Sequence, residues 1–182
     1  MYKKVKIFGG KEIRIRKLVP KDLRNAKSFQ QFFNFLIEEQ AMIRMNKKKT
    51  IGEEKKWLKE GLKDIEEHQK VFLFAESEGM VVGTTDFDLE RGRSNHVAEF
   101  GITIRQGYRG IGLGKFLMAE ALKLAKKELR PKPKVFRLSV FASNKPAIGL
   151  YRKLGFKKVA RIPKQLQYKG KLVDEIVMLR FR

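Results

Sequence analysis

A glycine-rich segment in the second half of the chain could bind an anion through its backbone. It reads Arg109-Gly110-Ile111-Gly112-Leu113-Gly114-Lys115, and it follows a predicted strand and opens a predicted helix. Because glycines have no side chains to block an approach, successive amides there can point at one phosphate at a helix N-terminus. The segment lacks the Gly-Lys-Ser/Thr ending of a Walker loop. It also lacks an acidic ribose-binding residue about 20 positions later, where Glu128 is followed by basic residues, so nucleotide hydrolysis and dinucleotide binding are disfavoured.

A second segment, Asn144 to Phe156, follows the next predicted strand. Together the two segments resemble the GNAT superfamily of acyl-CoA N-acyltransferases. The family's phosphate loop, Arg/Gln-x-x-Gly-x-Gly/Ala, is matched by Arg109, Gly112 and Gly114. Its second pattern, Asn-x-x-Ala-x-x-x-Tyr with a following Gly-Phe, is matched by Asn144, Ala147, Tyr151, Gly155 and Phe156. The resemblance covers roughly residues 71–156, and the two motifs have the family's order and separation.

The resemblance implies acetyl-CoA as the cosubstrate and assigns its contacts. Backbone groups of the glycine-rich segment would hold the pyrophosphate, through Arg109, Gly110, Ile111, Gly112, Leu113, Gly114 and Lys115. The backbone of Ile102, Thr103 and Ile104 would pair with the pantetheine arm like an added strand, and the acetyl carbonyl would lie beside a splay between the fourth and fifth predicted strands. Asn144 and Ala147 would contact the cofactor, with Tyr151 near the sulfur. From the residues alone, Asn144 could instead cap a helix and Tyr151 could be a core aromatic.

The mechanism that the resemblance implies is direct attack by a neutral amine on the thioester. An amide of Ile102 or Thr103 would polarise the carbonyl oxygen. Tyr151 would donate a proton to the departing thiolate, which suits a phenol of pKa about 10. Glu99, which shares a strand face with Gly101 and Thr103, is the candidate general base.

Other acidic residues remain open alternatives. Glu99 itself could be a salt-bridged carboxylate on the sheet face. Asp86 and Asp88 on the preceding strand are weaker candidates for the base. Asp174 and Glu175 on the last hairpin could attract an amine substrate or balance nearby lysines.

Hydrophobic periodicity predicts seven strands and four helices, with the two strands that flank the glycine-rich helix parallel. The resemblance implies an α/β fold with a mixed, mostly antiparallel sheet of about seven strands, a central parallel pair and helices on both faces. The predicted strands are 11–18, 71–75, 80–89, 97–104, 134–142, 156–168 and 172–181. Helices are predicted from Lys21, from a Thr50–Glu53 capping box, after the glycine-rich segment and over 144–154.

Composition limits the alternatives. The 182 residues fit one compact domain, and the resemblance implies that it is a single N-acetyltransferase domain spanning 1–182. The chain has no cysteine and only two histidines, far apart in sequence, so no metal site is expected. The basic N-terminus lacks the apolar run of a signal peptide and no later run is long enough to span a bilayer, so we expect a cytoplasmic protein without membrane contact.

The formal net charge of +22 is the least explained feature of the sequence. It could reflect a polyanionic partner such as RNA or the ribosome, or a surface suited to solubility or heat tolerance. A basic RNA- or ribosome-binding module with a non-catalytic acyl-CoA site is therefore the alternative function. The acceptor also stays open between a protein N-terminus, a lysine, a polyamine, an amino acid and an antibiotic, and the oligomeric state is not predicted.

Overall fold

A computed structural model describes residues 2–182. Within these residues the chain forms eight strands and four α-helices in this order: β1 (Lys3–Phe8), β2 (Lys11–Lys17), α1 (Ala26–Glu38), α2 (Ile51–Glu66), β3 (Lys70–Ser77), β4 (Met80–Leu89), β5 (Val97–Ile104), α3 (Leu113–Glu128), β6 (Val135–Phe141), α4 (Lys145–Lys153), β7 (Lys157–Tyr168) and β8 (Lys171–Phe181).

All eight strands belong to one sheet with the order β1-β2-β3-β4-β5-β6-β8-β7. Every neighbouring pair is antiparallel except β5 and β6, which are parallel. The mixed, mostly antiparallel architecture with one central parallel pair is therefore confirmed. The strand count is one higher than predicted.

The additional strand is β1, which pairs with β2 across a tight turn at Gly9-Gly10. Both glycines have positive φ, at 55° and 77°, a conformation that glycine adopts without steric cost. Three of the six residues of β1 are lysines, so the alternation of polar and apolar side chains that indicates a strand is weak in the sequence. Tyr2 and Lys4 hold β1 against α3, because their side chains donate hydrogen bonds to Glu120 at 2.7 and 2.6 Å.

Helices cover both faces of the sheet, as predicted. Successive residues of β3 point to opposite faces, so Phe72 and Phe74 pack under α1 and α2 while Val71 and Leu73 pack under α3. We call these the α1/α2 face and the α3 face. The short helix α4 also packs on the α3 face, through Ile148 and Tyr151.

Two helix starts show how local chemistry sets the boundaries. The predicted capping box before α2 is present: Thr50 Oγ1 accepts from the Glu53 amide at 3.2 Å, and Glu53 accepts from the Thr50 amide at 2.7 Å. The first helix begins at Ala26 rather than at Lys21, because residues 20–25 form a 3-10 helix. There Asp22, fully buried, accepts from Arg16 and from the Val19 amide.

The parallel pair separates soon after it begins. Only Val97, Ala98 and Glu99 of β5 pair with β6, opposite Val135, Phe136 and Arg137. Beyond Glu99, β5 continues along β4 and β6 continues along β8, so a cleft opens between them. In the described part of the chain, no helix combines the length and the apolar character that a bilayer crossing requires.

Candidate active site

The cleft between β5 and β6 opens into a groove of about 930 Å³. The loop before α3, helix α4 and the loop between α1 and α2 complete its walls. Predicted site residues that line it are Glu99, Ile102, Thr103, Ile104, Arg109, Gly110, Gly112, Gly114, Lys115, Asn144, Ala147 and Tyr151. The side chains of Ile111 and Leu113 instead pack against the core, which leaves only their backbone groups to act in a binding role.

The glycine-rich segment presents a run of backbone donors. Gly112 is the N-cap of α3 and has no side chain to accept from the first turn. Within residues 2–182, no carbonyl accepts from the amides of residues 110–115, whereas the next amide, that of Phe116, bonds to Gly112 O at 3.2 Å. Unbonded amides at a helix N-terminus form a natural anion site.

Glycine is required at specific positions of this segment. Gly110 and Gly112 have φ values of 77° and 90°. A methyl group at Gly114 would meet Ile104 Cδ1 at 3.1 Å and Leu150 Cδ2 at 3.5 Å. The bare backbone of residues 110–115, with the Lys115 side chain beside it, therefore fits a diphosphate.

The backbone of β5 faces the cleft at alternate residues. Gly101 O accepts from Thr85 Oγ1 on β4 at 3.0 Å, and the Arg105 amide donates to Val82 O at 3.0 Å, so odd-numbered residues turn their backbone towards β4. Even-numbered residues consequently turn theirs towards the cleft. Of the two amides predicted to polarise a carbonyl, that of Ile102 faces the cleft and that of Thr103 does not. The Thr103 hydroxyl lies 2.8 Å from Thr84 Oγ1, on the α1/α2 face.

Tyr151 projects from α4 to the floor of the groove. Its side chain is 7% exposed and packs against the rings of Phe100 and Phe156 at 6.0 and 6.4 Å between centroids. Among the described residues, none forms a hydrogen bond with its hydroxyl. Burial raises the pKa of Tyr151 to about 12, so the phenol keeps its proton throughout the physiological range.

Asn144 caps α4. Its Oδ1 accepts from the Ala147 amide at 3.2 Å, so the structural role left open by the sequence is present. The same residue lines the groove. The contacts of Asn144 and Ala147 with a cofactor remain predictions.

Glu99 lies on the α1/α2 face at the point where β5 and β6 part. Burial raises its pKa above the ordinary glutamate value, and the nearby carboxylates Glu90 and Glu175 act in the same direction. Arg137 and Arg44 oppose the increase, and Arg137 Nε lies 3.9 Å from Glu99 Oε2. Such a carboxylate can accept a proton near neutral pH more readily than an exposed one.

The other acidic candidates are arranged differently. Asp88 lies outside the groove lining, 2.8 Å from Lys70 Nζ, and burial raises the pKa of its neighbour Asp86. Asp174 is paired with Arg161 at 2.6 Å. Glu175 does line the groove, is 3% exposed and is paired with Arg44 of the loop between α1 and α2.

Comparison with known proteins agrees with this geometry. The sequence model of the acetyltransferase (GNAT) family matches residues 31–156. The chain belongs to the acetyltransferase (GNAT) family. The predicted class, an acyl-CoA-dependent N-acyltransferase, is thereby confirmed at the level of the family.

One relative of this GNAT chain is the L-amino acid N-acetyltransferase AaaT of Escherichia coli (strain K12). The two are 34% identical over 111 residues, which cover 60% of this chain and 67% of the relative. The first curated relatives are matched over 61 to 67% of their own length.

Solved structures extend the likeness to nearly the whole GNAT chain. The ribosomal-protein-alanine N-acetyltransferase from Brucella melitensis has a TM-score of 0.78 and 25% identity, with 92% of this chain and 99% of that chain covered. The structure of yncA from Salmonella typhimurium, solved with its cofactor acetyl-CoA, has a TM-score of 0.77 and 19% identity over 93% of each chain. The second likeness shows the fold alone.

Two groove features of this acetyltransferase were not predicted from the sequence. Glu39, 5% exposed at the end of α1, pairs with Arg109 of the glycine-rich segment and accepts from the Gln106 amide at 3.2 Å. Arg109 Nε also donates to Ile104 O at 2.6 Å. Ser139 on β6 lines the groove, and its buried Oγ has no hydrogen-bond partner among the described residues. The Glu39–Arg109 pair joins residues 70 positions apart, so no local sequence pattern indicates it.

The loop between α1 and α2 forms the outer wall of the groove. Met42, Ile43 and Arg44 line it. The last hairpin holds this loop in place, because Tyr168 donates its hydroxyl to Gln40 O at 2.8 Å. The wall is therefore built from two elements distant in sequence.

Proposed function

We propose that this protein transfers an acetyl group from acetyl-CoA to a primary amine by direct attack in a ternary complex. The observation that carries the proposal is the convergence of three features on one groove. These are the orphan amides of residues 110–115, the open backbone edge of β5 at Ile102, and the phenol of Tyr151. This convergence is what a diphosphate joined to a thioester by an extended arm requires.

Binding rests mainly on backbone groups. The amides of residues 110–115 would hold the pyrophosphate, and Lys115 would add a positive charge. The cleft-facing edge of β5, at Phe100, Ile102 and Ile104, would pair with the pantetheine arm as an added strand does. Acetyl-CoA supplies the thioester carbonyl, and the amide of Ile102 would polarise its oxygen.

Two side chains would carry out the proton transfers of the reaction. Glu99 would accept the proton that the amine loses as its nitrogen forms the new amide bond to the acetyl carbon. Tyr151 would give its proton to the sulfur as the carbon–sulfur bond breaks, leaving CoA as the free thiol. No covalent enzyme intermediate is required.

The acceptor would approach from the α1/α2 face, where the carboxylates of Glu99 and Glu175 line the groove. Their negative charge favours an acceptor that arrives as an ammonium ion and gives its extra proton to solvent before the neutral nitrogen attacks. The names of the relatives include enzymes acting on L-amino acids and on a ribosomal protein's alanine. Free amino acids and protein N-termini are therefore the first acceptors to test, followed by lysine side chains, polyamines and aminoglycosides.

A thiol-release assay tests the proposal. Purified protein is mixed with acetyl-CoA and each acceptor class in turn, and free CoA is measured with a thiol reagent. We expect acceptor-dependent release with at least one primary amine and no release with the same amine already acetylated. Acetyl-CoA binding without acceptor-dependent release from any class would contradict the proposal and favour a non-catalytic acyl-CoA site.

A further inference from the structure

Ser139 has a buried hydroxyl that the proposed mechanism does not use, although the residue lines the groove. It lies on β6 between Leu138 and Val140, which are buried on the α3 face. Successive residues of a strand point to opposite faces, so the Ser139 side chain lies on the α1/α2 face. The phenol of Tyr151 packs on the α3 face. The serine hydroxyl is therefore on the side from which the acceptor approaches, and the proposed acid is on the other.

Ser139 comes directly after the part of β6 that pairs with β5. The last pair is Glu99 with Arg137, and continuation of that register sets Gly101 across the cleft from Ser139. Gly101 and Ser139 both line the groove. Because Gly101 has no side chain, β5 presents only backbone at the position that faces the hydroxyl.

Five buried side-chain atoms of the described residues have no hydrogen-bond partner, and Ser139 Oγ differs from the other four. The five are Asp22 Oδ1, Glu54 Oε1, Glu54 Oε2, Arg137 Nε and Ser139 Oγ. The three charged side chains each form an ion pair, with Arg16, Lys49 and Glu90 respectively. None of the three lines the groove. A buried hydroxyl without a partner lowers stability, so the serine at this position needs an explanation that the fold of residues 2–182 does not supply.

Glu99, the proposed base, flanks Ser139 on the α1/α2 face. Ser139 lies two residues along β6 from the partner of Glu99, a rise of about 6.6 Å, and neighbouring strands are about 4.8 Å apart. The two Cα atoms are consequently roughly 8 Å apart, so a nitrogen between the two side chains can contact both. Glu99 has only the charge of Arg137 nearby, at 3.9 Å, whereas Glu175 already accepts from Arg44. Ser139 and Glu99 are thus the groove side chains on this face that retain hydrogen-bonding capacity for an amine.

We propose that Ser139 Oγ binds the acceptor nitrogen and, together with Glu99, selects a primary amine. This inference rests on the proposed function. A neutral primary amine has two N–H groups and one lone pair. When one N–H donates to Glu99 and the other to Ser139 Oγ, the lone pair is directed at the acetyl carbon. A secondary amine has a single N–H and leaves one of the two oxygens without its hydrogen bond, which is how such a site rejects an analogue.

Two serines provide a matched pair of variants. Ser77 is 4% exposed and lies outside the groove lining, and its hydroxyl donates to Glu12 O at 2.9 Å. Ser77→Ala removes this bond and should lower the thermal midpoint by about 2–4 °C. Ser139→Ala removes a buried hydroxyl that has no partner among residues 2–182, so its midpoint should equal or exceed that of the wild type. The comparison separates a structural serine from one that serves a ligand.

The role in binding is tested with pairs of acceptors. The probes are L-alanine, an Ala-Ala-Ala peptide, Nα-acetyl-L-lysine and spermidine, each beside its counterpart methylated on the reacting nitrogen. For each pair that reacts, kcat/KM is measured by thiol release and the Kd of acetyl-CoA by calorimetry.

We expect Ser139→Ala to lower kcat/KM for the primary amine about tenfold, the effect of one lost hydrogen bond, without a change in the Kd of acetyl-CoA. The preference of the wild type for the primary amine over its N-methyl counterpart should fall about tenfold in the same variant, because the second N–H then has no acceptor to lose. Ser77→Ala, assayed below its midpoint, should keep the wild-type values of all three quantities.

The outcomes distinguish this inference from the proposed function. Absence of acceptor-dependent thiol release by the wild type with every primary amine would refute both. Release by the wild type with an unchanged kcat/KM in Ser139→Ala would refute the role of the serine alone. A weaker Kd for acetyl-CoA in Ser139→Ala would assign the hydroxyl to the cosubstrate, and a lowered midpoint would assign it to the fold. An undiminished preference over the N-methyl counterpart would refute the selection of primary amines by Ser139.

Discussion

The rings of Tyr151 and Phe100 meet edge to face, with centroids 6.0 Å apart and planes at 83°. Phe100 is the first residue of β5 beyond its pairing with β6. The contact therefore fixes the phenol of α4 at the point where the cleft opens. Position and ionisation state of the proposed acid both follow from packing, because the same burial raises the pKa of Tyr151 to about 12.

Replacement of the phenol by phenylalanine should separate chemistry from binding. Tyr151→Phe keeps the ring contacts and removes only a hydroxyl that forms no hydrogen bond with residues 2–182. We expect kcat to fall about 100-fold, within the range for a lost general acid, with unchanged acetyl-CoA affinity and thermal midpoint. Tyr108→Phe, which removes a hydroxyl outside the groove lining, is the control and should keep the wild-type rate. A wild-type kcat in Tyr151→Phe would refute the assignment of the acid.

The proposed base should be visible in the pH profile. Glu99 can accept a proton only when it is ionised, and burial raises its pKa, so activity should fall as pH decreases through a value above the usual glutamate pKa of about 4.3. Glu99→Gln should lower kcat at neutral pH about 100-fold and abolish this acidic limb. Glu78→Gln, in the exposed turn before β4, should leave both unchanged. An acidic limb that persists in Glu99→Gln would identify another residue as the base.

The backbone conformation at Gly112 should control acetyl-CoA affinity. Its φ of 90° is strained for alanine, at a cost of roughly 1–2 kcal/mol, and relief of that strain would redirect the amides of the first turn of α3. We expect Gly112→Ala to raise the Kd for acetyl-CoA about tenfold by calorimetry. Gly170→Ala is a matched control, because φ there is 74°, no heavy atom lies within 4 Å and the site is the β7–β8 turn. Equal loss of affinity in both variants would mean that general destabilisation is the cause.

Local patterns predicted the elements that position the site, but not its long-range contacts. The Thr50–Glu53 capping box, the β5–α3–β6 unit and the Asn144 helix start each depend on residues a few positions apart, and each is present in the structure. Strand β1 was missed because lysines occupy the alternating positions that β1 turns towards Phe116 and Glu120 on α3. The Glu39–Arg109 pair and the orientation of the β5 backbone are set by tertiary packing, which no spacing encodes.

The missed strand leads to a stability prediction. Burial would raise the pKa of Glu120, but hydrogen bonds from Lys4, Tyr2 and Lys123 outweigh it and lower the pKa to about 2. The stabilisation is therefore present above the unfolded pKa of about 4.3 and is lost as pH falls towards 2. Glu120→Gln should lower the free energy of unfolding by about 1–2 kcal/mol at pH 7, measured by urea denaturation. The difference from wild type should shrink below pH 4, and a difference independent of pH would contradict this explanation.

A crystal structure with acetyl-CoA and a slowly reacting acceptor analogue would test the central claim most directly. We expect the pyrophosphate oxygens to accept from the amides of residues 110–115, the thioester oxygen to accept from the Ile102 amide, and the sulfur to lie within hydrogen-bonding reach of the Tyr151 hydroxyl. A pyrophosphate bound away from the N-terminus of α3, or a thioester outside the cleft between β5 and β6, would contradict the proposed function.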